Sequence, residues 1–394
     1  MPSASVDDSE RFSLVAGGPF HRLLRRLGLI GADQLPKWQA AVGLALIAWM
    51  LPALLAILQS LVDDGYPGRE YFTELTAYAR FLVGIFAMVA TERYADGRFV
   101  LIVRQFREAR LLDAGSFPAF QAALATADRR SSSPLAEGLI ATLALVWPGI
   151  LASYTVSLAG ASWEGTVVAG EISLSWAGAA VRWLSTPIFV FLVLRWLWWF
   201  VVWAILLLRL SRLRLQLMPL HPDRTGGLGF MAVYPSIFGG FVFAMSCVVA
   251  SSILKELSLE PHPPEIVWAA MGVWIAIVLV LFIGPLLVFA VPLFDAREQA
   301  LFTYGRLASQ HHLAFHDKWI RTSRNGEEIM GSPDPSSASD LNASVQATQD
   351  MRFVPIDRAA IVQLVVAAGV PMLGVVATLV PLDVLVKWLI GTIL

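Results

Sequence analysis

The chain has 394 residues, 57% of them hydrophobic and only 15% charged. A soluble domain is about a quarter charged, so a water-soluble globule is excluded and a polytopic membrane protein is expected. Basic and acidic residues balance at 29 against 30, which leaves no bulk charge to recruit a nucleic acid. The one cysteine, Cys247, lies in an apolar run and offers neither a disulfide framework nor a Cys-rich metal site.

Residues 1–37 form a polar N-terminal segment expected in the cytoplasm, without the apolar core of a removable signal peptide. A spanning helix needs about 20 apolar residues to cross about 30 Å of hydrocarbon. Seven stretches meet this, at 38–62, 71–91, 135–160, 183–208, 227–254, 265–293 and 359–381. The second is the least apolar, because Glu74 and Arg80 interrupt it. Residues 38–293 thus carry spans one to six, and 359–394 carry span seven with its tail. Pro52, Pro148, Pro187, Pro235, Pro285 and Pro371 put a helix-breaking residue in six of the seven.

Between spans two and three, residues 99–112 (FVLIVRQFREARLL) place apolar and basic residues on separate helical faces. That pattern suits a helix lying on the anionic inner leaflet. The segment 294–358 is expected to be cytoplasmic: a helix extending span six over 294–322, a flexible linker over 323–341, and a short helix over 342–351. After Pro381 the chain is too short to cross again, and Asp383 and Lys387 share a face suited to the outer interface.

Lys and Arg are retained on the cytoplasmic side. Segments 1–37, 92–134, 209–224 and 294–358 hold 23 of them, and the opposite side holds four: Arg69, Arg182, Lys255 and Lys387. The expected fold is an all-α membrane protein with seven transmembrane helices, N-terminus inside, C-terminus outside, and cytoplasmic helical extensions.

Arg195 stands at the middle of 183–208, about 18 Å from either surface, too deep for its guanidinium to snorkel. Unpaired there it costs at least about 2.5–3.5 kcal/mol. Glu74, Glu92 and Glu137 are the carboxylates near the first three spans, and spans four to seven have none at mid-depth. Arg195, Arg80 and Glu74 are therefore candidates for binding a solute or anion. The alternative is that Arg195 bonds carbonyls freed by Pro148, Pro187 or Pro235. Trp196, Trp198, Trp199 and Trp203 surround it in sequence and invite a cation–π contact; as bulk on a spanning helix, Trp198, Trp199 and Trp203 are expected to face lipid or the interface.

Two further motifs lie on the basic side. In PLHPDRTGGLGF, His221, Asp223, Arg224, Gly226 and Gly227 precede span five, where free helix amides and close backbone suit a phosphate or lipid head group. The plain alternative is a tight turn with Asp223 or Thr225 as helix cap. In HHLAFHD, His312 and His316 share one helical face, which fits a divalent metal if His221 or Asp223 supplies a third ligand. The alternative is helix histidines that are solvated or packed, and no other cofactor is implied.

HPDRTGGLGF, together with MRFVPIDR leading into the last span, resembles an uncharacterised family of bacterial polytopic inner-membrane proteins. In topology alone, seven spans with an extended sixth helix and almost no tail are similar to the insect-chemoreceptor superfamily. That resemblance implies tetrameric ligand-gated cation channels, whereas two intramembrane arginines argue against simple cation conduction. The sequence reading is a homo-oligomeric channel or transporter-like protein for a small, anionic solute in the bacterial inner membrane, with membrane lipid as a further partner. The alternatives are a membrane enzyme or lipid-modifying protein using the His/Asp residues of the cytoplasmic face, and a sensor or scaffold.

Overall fold

A computed structural model describes residues 12–31, 35–64, 66–155, 163–168, 171–259, 263–321 and 331–379. In chain order the helices are α1 (Gly18–Arg26), α2 (Trp38–Val62), α3 (Leu75–Glu108), α4 (Phe117–Ser131), α5 (Pro134–Thr155) and α6 (Trp176–Ser211). They continue as α7 (Gly229–Leu259), α8 (Pro264–Arg321), α9 (Asp334–Gln349) and α10 (Arg358–Thr378). An antiparallel hairpin, β1 (Gly165–Val168) and β2 (Glu171–Leu174), precedes α6. Seven segments are long and apolar enough to cross a membrane: α2, α3, Phe117–Ile150, α6, α7, α8 and α10. The chain is a multi-pass all-α membrane protein, as its composition requires.

Helix length is where the structure departs from the expected spans. Helices α3, α6 and α8 run for 34, 36 and 58 residues, with only local 3-10 or π turns. A crossing needs about 20, so each continues beyond the hydrocarbon as one rod. The weak second span is explained at its start. Glu74, read as an interruption, is the N-cap residue, accepting the Thr76 amide at 3.4 Å and the Thr76 hydroxyl at 2.5 Å. The apolar run begins after it.

The stripe at 99–112 does not lie on a leaflet. Phe99, Ile102, Val103 and Phe106 are buried inside the protein, with Phe99 4.6 Å from Trp203 and Phe106 5.2 Å from Phe230. Only the opposite face is wet, where Arg104 pairs with Glu108 at 2.6 Å. Amphipathicity records that one face is covered; it does not say whether lipid or protein covers it.

The expected linker also changes. Helix α9 starts at Asp334, eight residues before position 342, and lies against α8. Lys318 and Trp319 both donate to Asp334 Oδ2, at 2.8 and 3.0 Å. Farther along, His312 Nε2 meets Asn342 Oδ1 at 2.9 Å and Arg297 donates to the Gln349 carbonyl at 2.8 Å. The Ser/Ala-rich sequence that reads as a linker is what lets two helices approach closely. Residues 322–330 and the tail with Asp383 and Lys387 lie outside the described residues.

Aromatic side chains from α3, α6, α7 and α8 fill the interior. Trp196 stacks on Phe241 at 5.8 Å, and Phe238 meets Phe282 at 5.0 Å.

Candidate functional site

Helix α6 begins at Trp176, seven residues earlier than the expected span. Arg195 is then 19 residues from its start, about 28 Å at 1.5 Å per residue. The helices beside it supply what the sequence reading lacked. Arg195 Nη1 pairs with Glu92 Oε1 at 2.8 Å, and Nε lies 3.8 Å from Glu137 Oε1. Nη2 reaches the Val15 carbonyl at 3.4 Å. The guanidinium sits between two rings, 4.2 Å from Trp199 and 4.8 Å from Phe20.

The N-terminal segment closes this site. The Phe20 amide donates to Glu137 Oε2 at 3.2 Å, so Glu137 both neutralises Arg195 and caps α1. Ser13 donates to Asp96 Oδ1 at 2.5 Å, one turn below Glu92 on α3. Glu92 Oε2 is buried and makes no hydrogen bond. One cation facing two carboxylates does not attract an anion, so the triad removes the physical basis for an anion guest at Arg195. Proline-freed carbonyls are not its partners either. Of the four tryptophans, Trp196, Trp199 and Trp203 are buried in protein and not lipid-facing. Trp198 is half-buried and donates to the Arg130 carbonyl at 3.0 Å.

Arg80 and Glu74 do not join Arg195. Glu74 Oε2 takes Lys255 Nζ at 2.8 Å, bridging the starts of α3 and the end of α7. Arg80 is twelve residues before Glu92 on α3, about 18 Å along the rod. Its electrostatic neighbours are Glu164 and Glu74.

In the α6–α7 loop the cap alternative holds. Asp223 Oδ1 accepts the Thr225 and Gly227 amides at 2.8 and 3.2 Å, and Oδ2 accepts Gly229 at 2.7 Å. The amides expected to cradle a phosphate are occupied by the chain's own carboxylate. Burial pushes the Asp223 carboxyl up, but these three amides and His221 outweigh it and hold it below its ordinary value. His221 Nδ1 lies 2.9 Å from Asp223 Oδ1. Arg224 has φ 59, and Gly226 and Gly227 have φ 64 and 96, the left-handed turns that fold the loop around Asp223.

The two sequence landmarks meet here. The Arg352 amide donates to the Arg224 carbonyl at 2.7 Å. A Cβ at Gly226 would stand 3.2 Å from Met351 Cε, so MRFVPIDR packs on HPDRTGGLGF.

His312, half of the expected metal pair, is engaged with Asn342. Among the described residues no group of three His, Cys, Asp or Glu side chains is arranged to hold a metal.

Two clefts flank the α4–α5 turn, and the sequence reading singled out neither. One, of about 510 Å³, is lined by Gly17, His21, Arg22, Arg25 and Ser132. The other, of about 380 Å³, lies between Arg129, Arg130 and Ser133 on one side and Trp198, Val202 and Ile205 on the other. The Arg129–Arg130 pair directly before a Ser-Ser-Ser-Pro helix start was the available sequence cue. Compared with known proteins, the chain matches no family model, no curated protein and no solved structure.

Proposed function

We propose that the protein is a homo-oligomeric, channel- or transporter-like inner-membrane protein whose solute path runs between subunits, with the α1 end in the cytoplasm. The supporting observation is an uncovered apolar ridge on α8. Leu287, Val291, Phe294, Phe302, Leu313 and Ile320 fall on one helical face, and Phe302 and Leu313 are 73% and 66% exposed. Phe302 is 38 residues from the start of α8, about 57 Å, well past a 30 Å core. Apolar side chains held there in water mark a protein–protein surface. The subunit interior is packed with aromatic rings, which favours a path at the interfaces over one through the subunit. The solute is small; with Arg195 neutralised by Glu92 and Glu137, an anionic preference has no support from that residue. The sensor or scaffold reading shares the ridge but assigns it to a different protein. The enzyme reading loses its constellation, because Asp223 and His312 are already engaged.

Purified protein in detergent is expected to have a mass that is a multiple of the 43.0 kDa chain, and to pass a small solute across liposomes. Phe302→Glu with Leu313→Glu should give folded monomers without flux. A monomeric wild type, or full assembly of the double variant, overturns the proposal. Assembly without flux of any small solute favours the scaffold.

The 23-to-4 basic asymmetry supports the orientation. Reporter fusions after Asp64 and Leu259 should read as external, and after Ser132 and Gln349 as cytoplasmic. The opposite pattern reverses the orientation.

A further inference from the structure

We infer that the cleft between the α4–α5 turn and α6 binds the phosphate head group of an anionic phospholipid. The inference rests on the chain crossing a membrane, and not on assembly or solute passage.

Position is the first argument. Helix α5 turns Leu135 and Leu139 outward, 87% and 62% exposed, so the lipid-facing surface begins one residue after Pro134. Trp198 stands across the cleft on α6. The cleft thus adjoins the N-terminal end of the exposed apolar face of α5. Its two walls match the two parts of a lipid. Arg129 and Arg130 supply two cations and Ser133 a hydroxyl, while Trp198, Val202 and Ile205 give an apolar wall. Neither Asp128 nor Glu137 lines it, so nothing in the cleft neutralises the arginines.

The geometry also holds the arginines in place. Arg129 Nε donates to the Ala125 carbonyl at 3.2 Å, a bond that does not use its terminal amino groups. The Trp198 indole donates to the Arg130 carbonyl at 3.0 Å, fixing the turn against α6. A guanidinium pair offers planar two-pronged recognition of phosphate oxygens, and the interfacial indole is a usual lipid neighbour. The second cleft, with Arg22 and Arg25, adjoins the same turn through Ser132 and Pro134. A soluble phosphate shares the head-group chemistry but makes no use of the apolar wall.

The test is native mass spectrometry of the full chain, delipidated in detergent, with dioleoyl phosphatidylglycerol or dioleoyl phosphatidylcholine added. Phosphatidylglycerol adducts should be retained and phosphatidylcholine adducts lost. Arg129→Gln with Arg130→Gln should weaken retention about 30-fold, the usual effect of two arginines at a charged surface. Arg104→Gln, on the wet face of α3, should change nothing. If the double variant does not fold, exposed Arg129 alone replaced by Gln should weaken retention about 5-fold. Equal retention of both lipids, or undiminished retention by the arginine variants, overturns the inference. Displacement by inorganic phosphate as efficient as by lipid identifies a soluble-anion site and overturns it too.

Discussion

Arg195→Leu is expected to destabilise the protein by about 3–5 kcal/mol, the usual cost of removing one partner from a buried ion pair. The loss falls on what is left behind. Glu92 is fully buried with Arg195 as its partner at 2.8 Å, and Glu137 sits close by. Without the guanidinium, two carboxylates face each other at the protein interior. Arg195→Lys should recover part of the loss, because an ammonium restores charge but not the planar stack between Phe20 and Trp199. Glu92→Gln combined with Arg195→Leu should be milder than the sum of the two single changes, since the unpaired charge is gone. Thermal unfolding of the four variants in one detergent checks this. A stable Arg195→Leu protein that loses solute passage would instead restore Arg195 as a ligand.

Asp223→Ala is expected to cost about 2–3 kcal/mol, because three backbone amides lose a charged acceptor at once. Asp223→Asn should cost less, since one side-chain oxygen remains. The damage should spread to residues 351–356, which are tied to the loop through the Arg352 amide and the Arg224 carbonyl. Hydrogen exchange across 218–229 and 351–356 reads that coupling, and protection unchanged at 351–356 would contradict it. A pH dependence follows with a definite sign. The folded Asp223 carboxyl is held below its ordinary value, so its contribution is complete above about pH 4. It is lost as pH falls from there through the depressed folded value. Asp223→Asn should abolish that acid-side loss.

Among the described residues, seven spans and the helical continuation of span six follow from the sequence alone. Charge is too expensive in hydrocarbon, and apolar runs are too long, for any other solution. The cap role of Asp223 was also legible, as an acid placed before Thr, Gly-Gly and a helix start. What lies against what was not legible. The stripe at 99–106 shows one covered face, but only the fold shows that Trp203 and Phe230 cover it. Arg195 looked unpaired because no acid lies near it in its own span. Glu92 and Glu137, its partners, stand 103 and 58 positions away on other helices. Periodicity fixes the face of a helix within its own length, whereas depth and partners depend on how rods of unequal length are set side by side. That is a property of packing, and only the tertiary structure decides it.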